Sequence, residues 1–162
     1  MKSKVLFVGI HNSGRSQMAE AMLNRIAGHE FEALSAGLDP APLNPLAVEV
    51  MRELGLDISN NKSKWIYDFI TSGKSFAYVI TVCEEASAAR YPKFNGNTKN
   101  LHWTFPDLSA LRGTPEEQLA RAREVRDMIK ATIILWCREV CSEPPLLRPG
   151  NPMFPGQSPL NP

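Results

Sequence analysis

A short apolar run, Lys4 to Val8, leads directly into a polar loop and then into a segment of helical periodicity. Val5-Leu6-Phe7-Val8 has the unbroken hydrophobicity of a strand covered on both faces. Residues 9–16 read Gly-Ile-His-Asn-Ser-Gly-Arg-Ser. Beyond them Ala19, Met22, Leu23 and Ile26 recur at helical spacing, and Gly28 supplies a stop. A buried strand, a tight loop and an amphipathic helix in that order are the opening of a doubly wound α/β sheet. The loop then lies at the carboxyl edge of the strands, where such folds bind ligands.

The rest of the chain continues the alternation. Phe31 to Ala36 reads as a second strand. Asn44-Pro45 is a helix start, a capping residue followed by proline at the first helical position. Ala47, Val50, Met51 and Leu54 give that helix its apolar face before Gly55. Trp65, Ile66, Phe69 and Ile70 mark a third helix ending near Gly73, and Phe76 to Val82 a third strand. A short strand near Leu101 to Trp103 completes the sheet. Thr114-Pro115-Glu116-Glu117 is a capping box that opens a long helix running to about Cys141, with Leu119, Ala122, Val125, Ile129, Ile133 and Trp136 inward. The expected fold is a four-stranded parallel sheet with helices on both faces, filling residues 1–141 as one domain. Residues 142–162 are rich in proline and nearly free of charge, which excludes a helix or a central strand there. They read as a tail. Leu146, Leu147, Met153 and Phe154 keep open its packing on a second subunit, as a homodimer contact.

Composition excludes several classes of function. A formal net charge of +1 gives no basis for binding nucleic acid or an acidic membrane surface. No apolar run is long enough to span a bilayer, and the N-terminus lacks a signal-peptide pattern, so a cytoplasmic location is expected. Three cysteines, Cys83, Cys137 and Cys141, are too few and too oddly placed for a disulfide framework. Neither a resident metal nor a cofactor is expected.

The chemistry concentrates in the loop. Successive backbone N–H groups in such a turn converge into an anion nest. The start of the first helix adds its unpaired donors and the positive end of its dipole. Arg15 can close over a tetrahedral oxyanion with two parallel hydrogen bonds, and Gly14 leaves the turn sterically free. The oxyanion-binding set is therefore Gly9, Ile10, His11, Asn12, Ser13, Gly14, Arg15 and Ser16. A generic turn between strand and helix is the plainer reading of the bare pattern.

The full string goes further. His11-Asn12-Ser13-Gly14-Arg15-Ser16-Gln17-Met18-Ala19-Glu20-Ala21, Ser35-Ala36-Gly37, Ala47-Val48-Glu49-Val50-Met51, Asp57-Ile58-Ser59, Val79-Ile80-Thr81-Val82-Cys83-Glu84, His102-Trp103-Thr104-Phe105-Pro106-Asp107 and Arg123-Glu124-Val125-Arg126-Asp127 occur in order. The chain thereby resembles the thioredoxin-coupled arsenate reductases, which share the low-molecular-weight tyrosine phosphatase fold, over roughly residues 3–140. The resemblance implies a phosphatase I-like fold and a ligand that is arsenate, phosphate or a similar oxyanion. In that family a loop cysteine attacks arsenate, a second cysteine releases arsenite, a third resolves the disulfide, and an aspartate protonates the leaving oxygen.

Carried over, the nucleophile falls on Gly9 and the resolving cysteine on Tyr91, and both thiols are missing. The second cysteine is Cys83 and the acid is Asp107, although Leu108 stands where the family has proline. Glycine offers no atom for a covalent adduct. The resemblance thus implies a degenerate, non-catalytic member that keeps its oxyanion cradle, with the thioredoxin partnership left open. His11 is common in cysteine-bearing relatives, so it does not argue for a phosphohistidine. Two alternatives stand beside this reading: an active reductase or phosphatase whose loop cysteine has been replaced, and an interaction protein docking through its Pro-rich tail.

Asn12, Glu20 and Ser35 match positions that organise the loop in relatives, some of which hold a potassium ion there. Lys64 stands where a carboxylate is expected, and either replaces the cation beside Glu20 or is solvated. Cys137 and Cys141 share a helix face, a weak pattern for arsenite or a soft metal beside the plainer reading of partly buried cysteines. Cys83 reads as a small core residue if it is not reactive, and His29 as a surface residue. His102 is expected to order backbone, and Trp65, Trp103 and Trp136 to pack.

Overall fold

A computed structural model describes residues 2–84, 90–94 and 96–142. The N-terminal apolar run is strand β1 (Ser3–Gly9), followed by helix α1 (Arg15–Ala27) and strand β2 (Phe31–Gly37). Helix α2 (Pro45–Arg52) and helix α3 (Ile66–Thr71) precede strands β3 (Tyr78–Thr81) and β4 (Lys99–His102). A 3-10 turn at Leu108–Ala110 leads into the long helix α4 (Pro115–Val140). The four strands are parallel in the order β2-β1-β3-β4. This is the expected α/β sheet.

The strand order fixes where a ligand can go. From β1 the chain turns one way to β2, and from β3 the other way to β4. The crevice between those departures is the switch point of the sheet, and the loop after β1 fills it. Alternation along β1 feeds two cores. Val5 and Phe7 face α1, α2 and α4, whereas Leu6 and Val8 face a smaller cluster with Ile66, Phe76, Val79, Cys83 and Tyr91. Helices cover both faces, unevenly.

The caps form as their residue types dictate. Asn44 Oδ1 accepts from the Leu46 amide at 2.9 Å and Thr114 Oγ1 from the Glu117 amide at 3.2 Å. Arg126 on α4 is buried; its guanidinium donates to the Val50 carbonyl at 3.0 Å and to Glu53 at 2.7 Å, tying α4 to α2. Glu53 also takes Arg123, and these two arginines hold its carboxyl below the usual carboxylate range.

Some expectations fail in detail. Strand β3 is shorter than Phe76 to Val82, and β4 begins and ends earlier than Leu101 to Trp103. Trp103 and Trp136 pack as expected, on Phe7 at 5.9 Å and on Phe31 at 5.2 Å. Trp65 does not: it is 46% exposed, because it starts α3 at the surface and lies against Tyr67. Ile70 is exposed as well, since so short a helix buries only its first turn through Ile66. His102 binds side chains rather than backbone, Thr81 Oγ1 at 2.5 Å and Thr104 Oγ1 at 3.1 Å. His29 is exposed. Nearly all of the Pro-rich tail, with Leu146, Leu147, Met153, Phe154 and the dimer contact expected of them, lies outside the described residues. Among the described residues no helix is long and apolar enough to cross a membrane.

Candidate functional site

The loop after β1 is held by its carbonyls. Those of Gly9, Ile10, His11 and Ser13 accept from the amides of Leu38 (3.2 Å), Asp39 (2.7 Å), Ala41 (3.0 Å) and Asn44 (2.7 Å). With its carbonyls turned toward that segment, the loop turns its N–H groups the other way. Among the described residues no protein acceptor pairs with the amides of His11 to Ser16. Buried backbone donors need a partner, and a run of them at a helix start is a concavity with the polarity to receive an anion.

Gly37 makes this zipper possible. A Cβ there would stand 2.7 Å from the Ile10 carbonyl and 2.8 Å from the Asn12 nitrogen, closer than any side chain tolerates. The loop therefore folds directly over the last residue of β2, which pairs with Gly9.

Asn12 is the hub. It is buried and left-handed at φ 53, a conformation in which asparagine is enriched among non-glycine residues. Its Nδ2 donates to Ser16 Oγ at 2.8 Å. Its Oδ1 accepts from Gln17 Nε2 at 3.0 Å and from the Lys64 amide at 2.9 Å. Its carbonyl takes Gln17 Nε2 and Ser63 Oγ. The residue that turns the loop is thus Asn12; Gly14 has φ −147 and abuts Leu108.

The mouth is made by the segment that carries Phe105 and Asp107. Arg15 Nη1 donates to the Phe105 carbonyl at 2.9 Å, and Arg15 Nη2 lies 3.9 Å from Asp107 Oδ2. Asp107 Oδ1 is occupied by the amide and hydroxyl of Ser109, so Oδ2 remains the oxygen near Arg15. Residues 9–16, Asn44, Asp107 and Leu108 line a concave basin with about 20 Å³ of free volume, room for a small ion. His11 lines it too, with Nδ1 against the Asp39 carbonyl at 2.9 Å.

Position 9 is open at the base of this basin. A Cβ there would meet Ser16 Oγ at 3.5 Å and Val82 Cγ2 at 4.0 Å, ordinary contacts without strain. The other two positions that the resemblance implies, Cys83 and Tyr91, lie after the end of the neighbouring strand β3. Cys83 is fully buried just after β3. Tyr91 is buried beside it, and its hydroxyl has no nitrogen or oxygen partner among the described residues. Burial first, and then Cys83, push the ionisation of that phenol up, so it stays neutral.

Lys64 pairs rather than dangles. Its Nζ lies 3.5 Å from Glu20 Oε1 and 3.5 Å from Ser35 Oγ, while its amide is bound to Asn12. Burial raises the Glu20 pKa, against the opposing pull of Lys64 and Ser35. Asn44, Gln17 and Ser63 take part in the site although the sequence assigned them no role in it. Asn44 was legible only as a helix cap; Gln17 stands inside the quoted loop motif, and that was its one signal.

The chain is similar to known proteins over most of its length. The model of the family described as low molecular weight phosphotyrosine protein phosphatase matches residues 4–143. An arsenate reductase of Bacillus subtilis (strain 168) is 39% identical over 130 residues, 80% of this chain and 91% of that protein. One from Staphylococcus aureus (strain Newman) is 36% identical over 132 residues, 82% and 94% of the two chains. The solved structure of an arsenate reductase in the phosphate binding state superposes with a TM-score of 0.64 at 28% identity, covering 86% of this chain and 99% of that one. The chain belongs to the low molecular weight phosphotyrosine protein phosphatase family, among whose members the arsenate reductases resemble it over nearly their whole length.

Proposed function

We propose that residues 9–16 bind arsenate or phosphate reversibly and without catalysis, so that the protein works as an oxyanion sensor, buffer or partner-binding module. The observation that carries this reading is the loop itself. Its carbonyls are zipped to residues 38–44, its amides from His11 to Ser16 lack protein acceptors among the described residues, and Gly9 supplies no nucleophile. The structure of a related arsenate reductase in a phosphate binding state supports the choice of ligand. With thiols absent at Gly9 and Tyr91, the relay leaves no disulfide for thioredoxin to reduce. A cytoplasmic setting accords with three unpaired cysteines.

Calorimetric titration with arsenate and with phosphate tests the proposal. Binding at millimolar or lower concentration is expected, weakened at least tenfold by Arg15→Ala, which removes charge-assisted hydrogen bonds worth about 1.5–3 kcal/mol each. Silence of the full chain toward both anions would refute it. A second reading, an enzyme whose cysteine was replaced, is favoured by the unstrained space at Gly9 and by Asp107 beside Arg15. Under it, Gly9→Cys gains hydrolysis of para-nitrophenyl phosphate, because a phosphatase needs only the loop thiol and the acid.

A further inference from the structure

The edge of the sheet opposite the cradle carries a second cluster of chemistry. Helix α4 ends there at Val140, with Cys141 as its C-cap. Cys137 is fully buried and Cys141 is half-buried, one helical turn apart on one face. The Cys141 amide donates to the Cys137 carbonyl at 2.8 Å, which holds the two residues one turn apart. Glu30, just before β2, accepts from the amide and hydroxyl of Ser142 at 2.8 and 2.7 Å and so pins this turn to the body of the domain. We propose that Cys137 and Cys141 form a dithiol trap for trivalent arsenic, which bridges their sulfurs at the C-terminal end of α4.

Geometry and acid–base chemistry select this ligand over the alternatives. Side chains four apart on a helix have Cβ atoms about 5–6 Å apart, whereas a disulfide wants about 3.8 Å. A direct S–S bond would have to pull the helix end inward; an atom inserted between the sulfurs suits the wider spacing. Divalent metals bind thiolates and must displace protons. Burial pushes both thiols upward in pKa, Cys137 the more deeply, and among the described residues no cluster of three histidine, cysteine or carboxylate side chains completes a metal site. Arsenous acid has no such requirement. Two As–S bonds form and two As–O bonds break, and the departing hydroxyls leave as two waters with the two thiol protons. Arsenic remains trivalent, no oxidant or reductant is consumed, and no proton is released to solvent. Half-exposed Cys141 is the point of entry, and attack by buried Cys137 closes the chelate. The trap does not depend on what the anion cradle binds.

The test uses the reduced full chain, prepared with a phosphine and no added thiol. Titration with phenylarsine oxide, read by intact mass, is expected to give one adduct with loss of one water, resistant to millimolar monothiol. Sodium arsenite is expected to remove two thiols from the count reactive to an aromatic disulfide in denaturant, and equimolar zinc is expected not to compete. Cys141→Ser, a change at a half-buried cap, is expected to keep the fold by circular dichroism and to weaken phenylarsine oxide at least 100-fold, since a single thiol forfeits the effective concentration of its neighbour. Cys137→Ala gives the same loss if that variant folds. An adduct that survives Cys141→Ser, a wild-type chain that forms none, or zinc that displaces arsenite would each overturn the proposal.

Discussion

Substituting Asn12 separates the two jobs of the loop's hub, its backbone conformation and its hydrogen bonds. In Asn12→Ala the side-chain bonds to Ser16 Oγ, Gln17 Nε2 and the Lys64 amide all disappear. Gln17 Nε2 retains the carbonyls of Asn12 and Lys62, so its loss is small. The Lys64 amide has no substitute among the described residues, and an orphaned buried donor costs about 1–3 kcal/mol. Alanine must also hold the left-handed φ of 53, which costs a non-glycine residue about 1 kcal/mol. The sum is about 3 kcal/mol, or roughly 10 °C in Tm for a domain of this size. Asn12→Gly loses the same bonds without the conformational cost, and should be about 1 kcal/mol more stable than Asn12→Ala. Urea and thermal unfolding of the three proteins measure these differences, and phosphate titration of the same samples should show at least tenfold weaker binding in both variants. If alanine and glycine prove equally stable, or if neither costs more than about 1 kcal/mol, the loop is not organised by Asn12.

Three further outcomes follow from the same structure. Gly37→Ala should destabilise the domain by more than about 3 kcal/mol, since its Cβ has backbone at 2.7 and 2.8 Å, whereas Gly9→Ala should stay within about 1 kcal/mol of the natural chain; denaturant midpoints of the pair decide this. Tyr91→Phe should raise stability by about 1 kcal/mol, because it removes a buried hydroxyl without a nitrogen or oxygen partner, and a fall in the urea midpoint would mean that the hydroxyl is satisfied. Glu53 has its pKa lowered by Arg123 and Arg126, so its contribution is present above the unfolded value of 4.5 and fades as pH drops through the lower folded value. Glu53→Gln should therefore lose stability at pH 7 and flatten the stability profile below pH 4.5, checked by unfolding across that range.

The legible parts of this fold are those whose signals are local. Asn44-Pro45 and Thr114-Pro115 announce helices because a cap and a proline act on their own backbone. The burial of β1 on both faces shows in four consecutive apolar residues. The cradle was legible as a string of residue types, but its mechanism of support was not. The bonds that orient it run between backbone carbonyls and the amides of residues 38–44, and backbone groups carry no residue identity. The demand on Gly37 comes from a contact with Ile10 and Asn12 across the sheet edge, which spacing along the chain cannot reveal. Trp65 misled for the opposite reason: its apolar size argues for burial, while its place at the start of a short helix leaves its ring against Tyr67 at the surface.

No side chain at position 9 is needed to hold the cradle in shape. The zipper uses the Gly9 carbonyl, the hub is Asn12, and the guanidinium of Arg15 is seated by Phe105. None of these contacts uses a side chain at position 9, and a Cβ there meets only ordinary contacts. Nucleophile and cradle are therefore separable, and for anion binding they are opposed. A thiolate beneath a dianion repels it; for one pair of unit charges about 4 Å apart the cost is about 1 kcal/mol in water and about 4 kcal/mol at an effective dielectric of 20. An enzyme accepts that repulsion because the thiolate is its reagent. A chain that only holds the anion gains from losing it, and glycine removes the charge while leaving the backbone donors where they were.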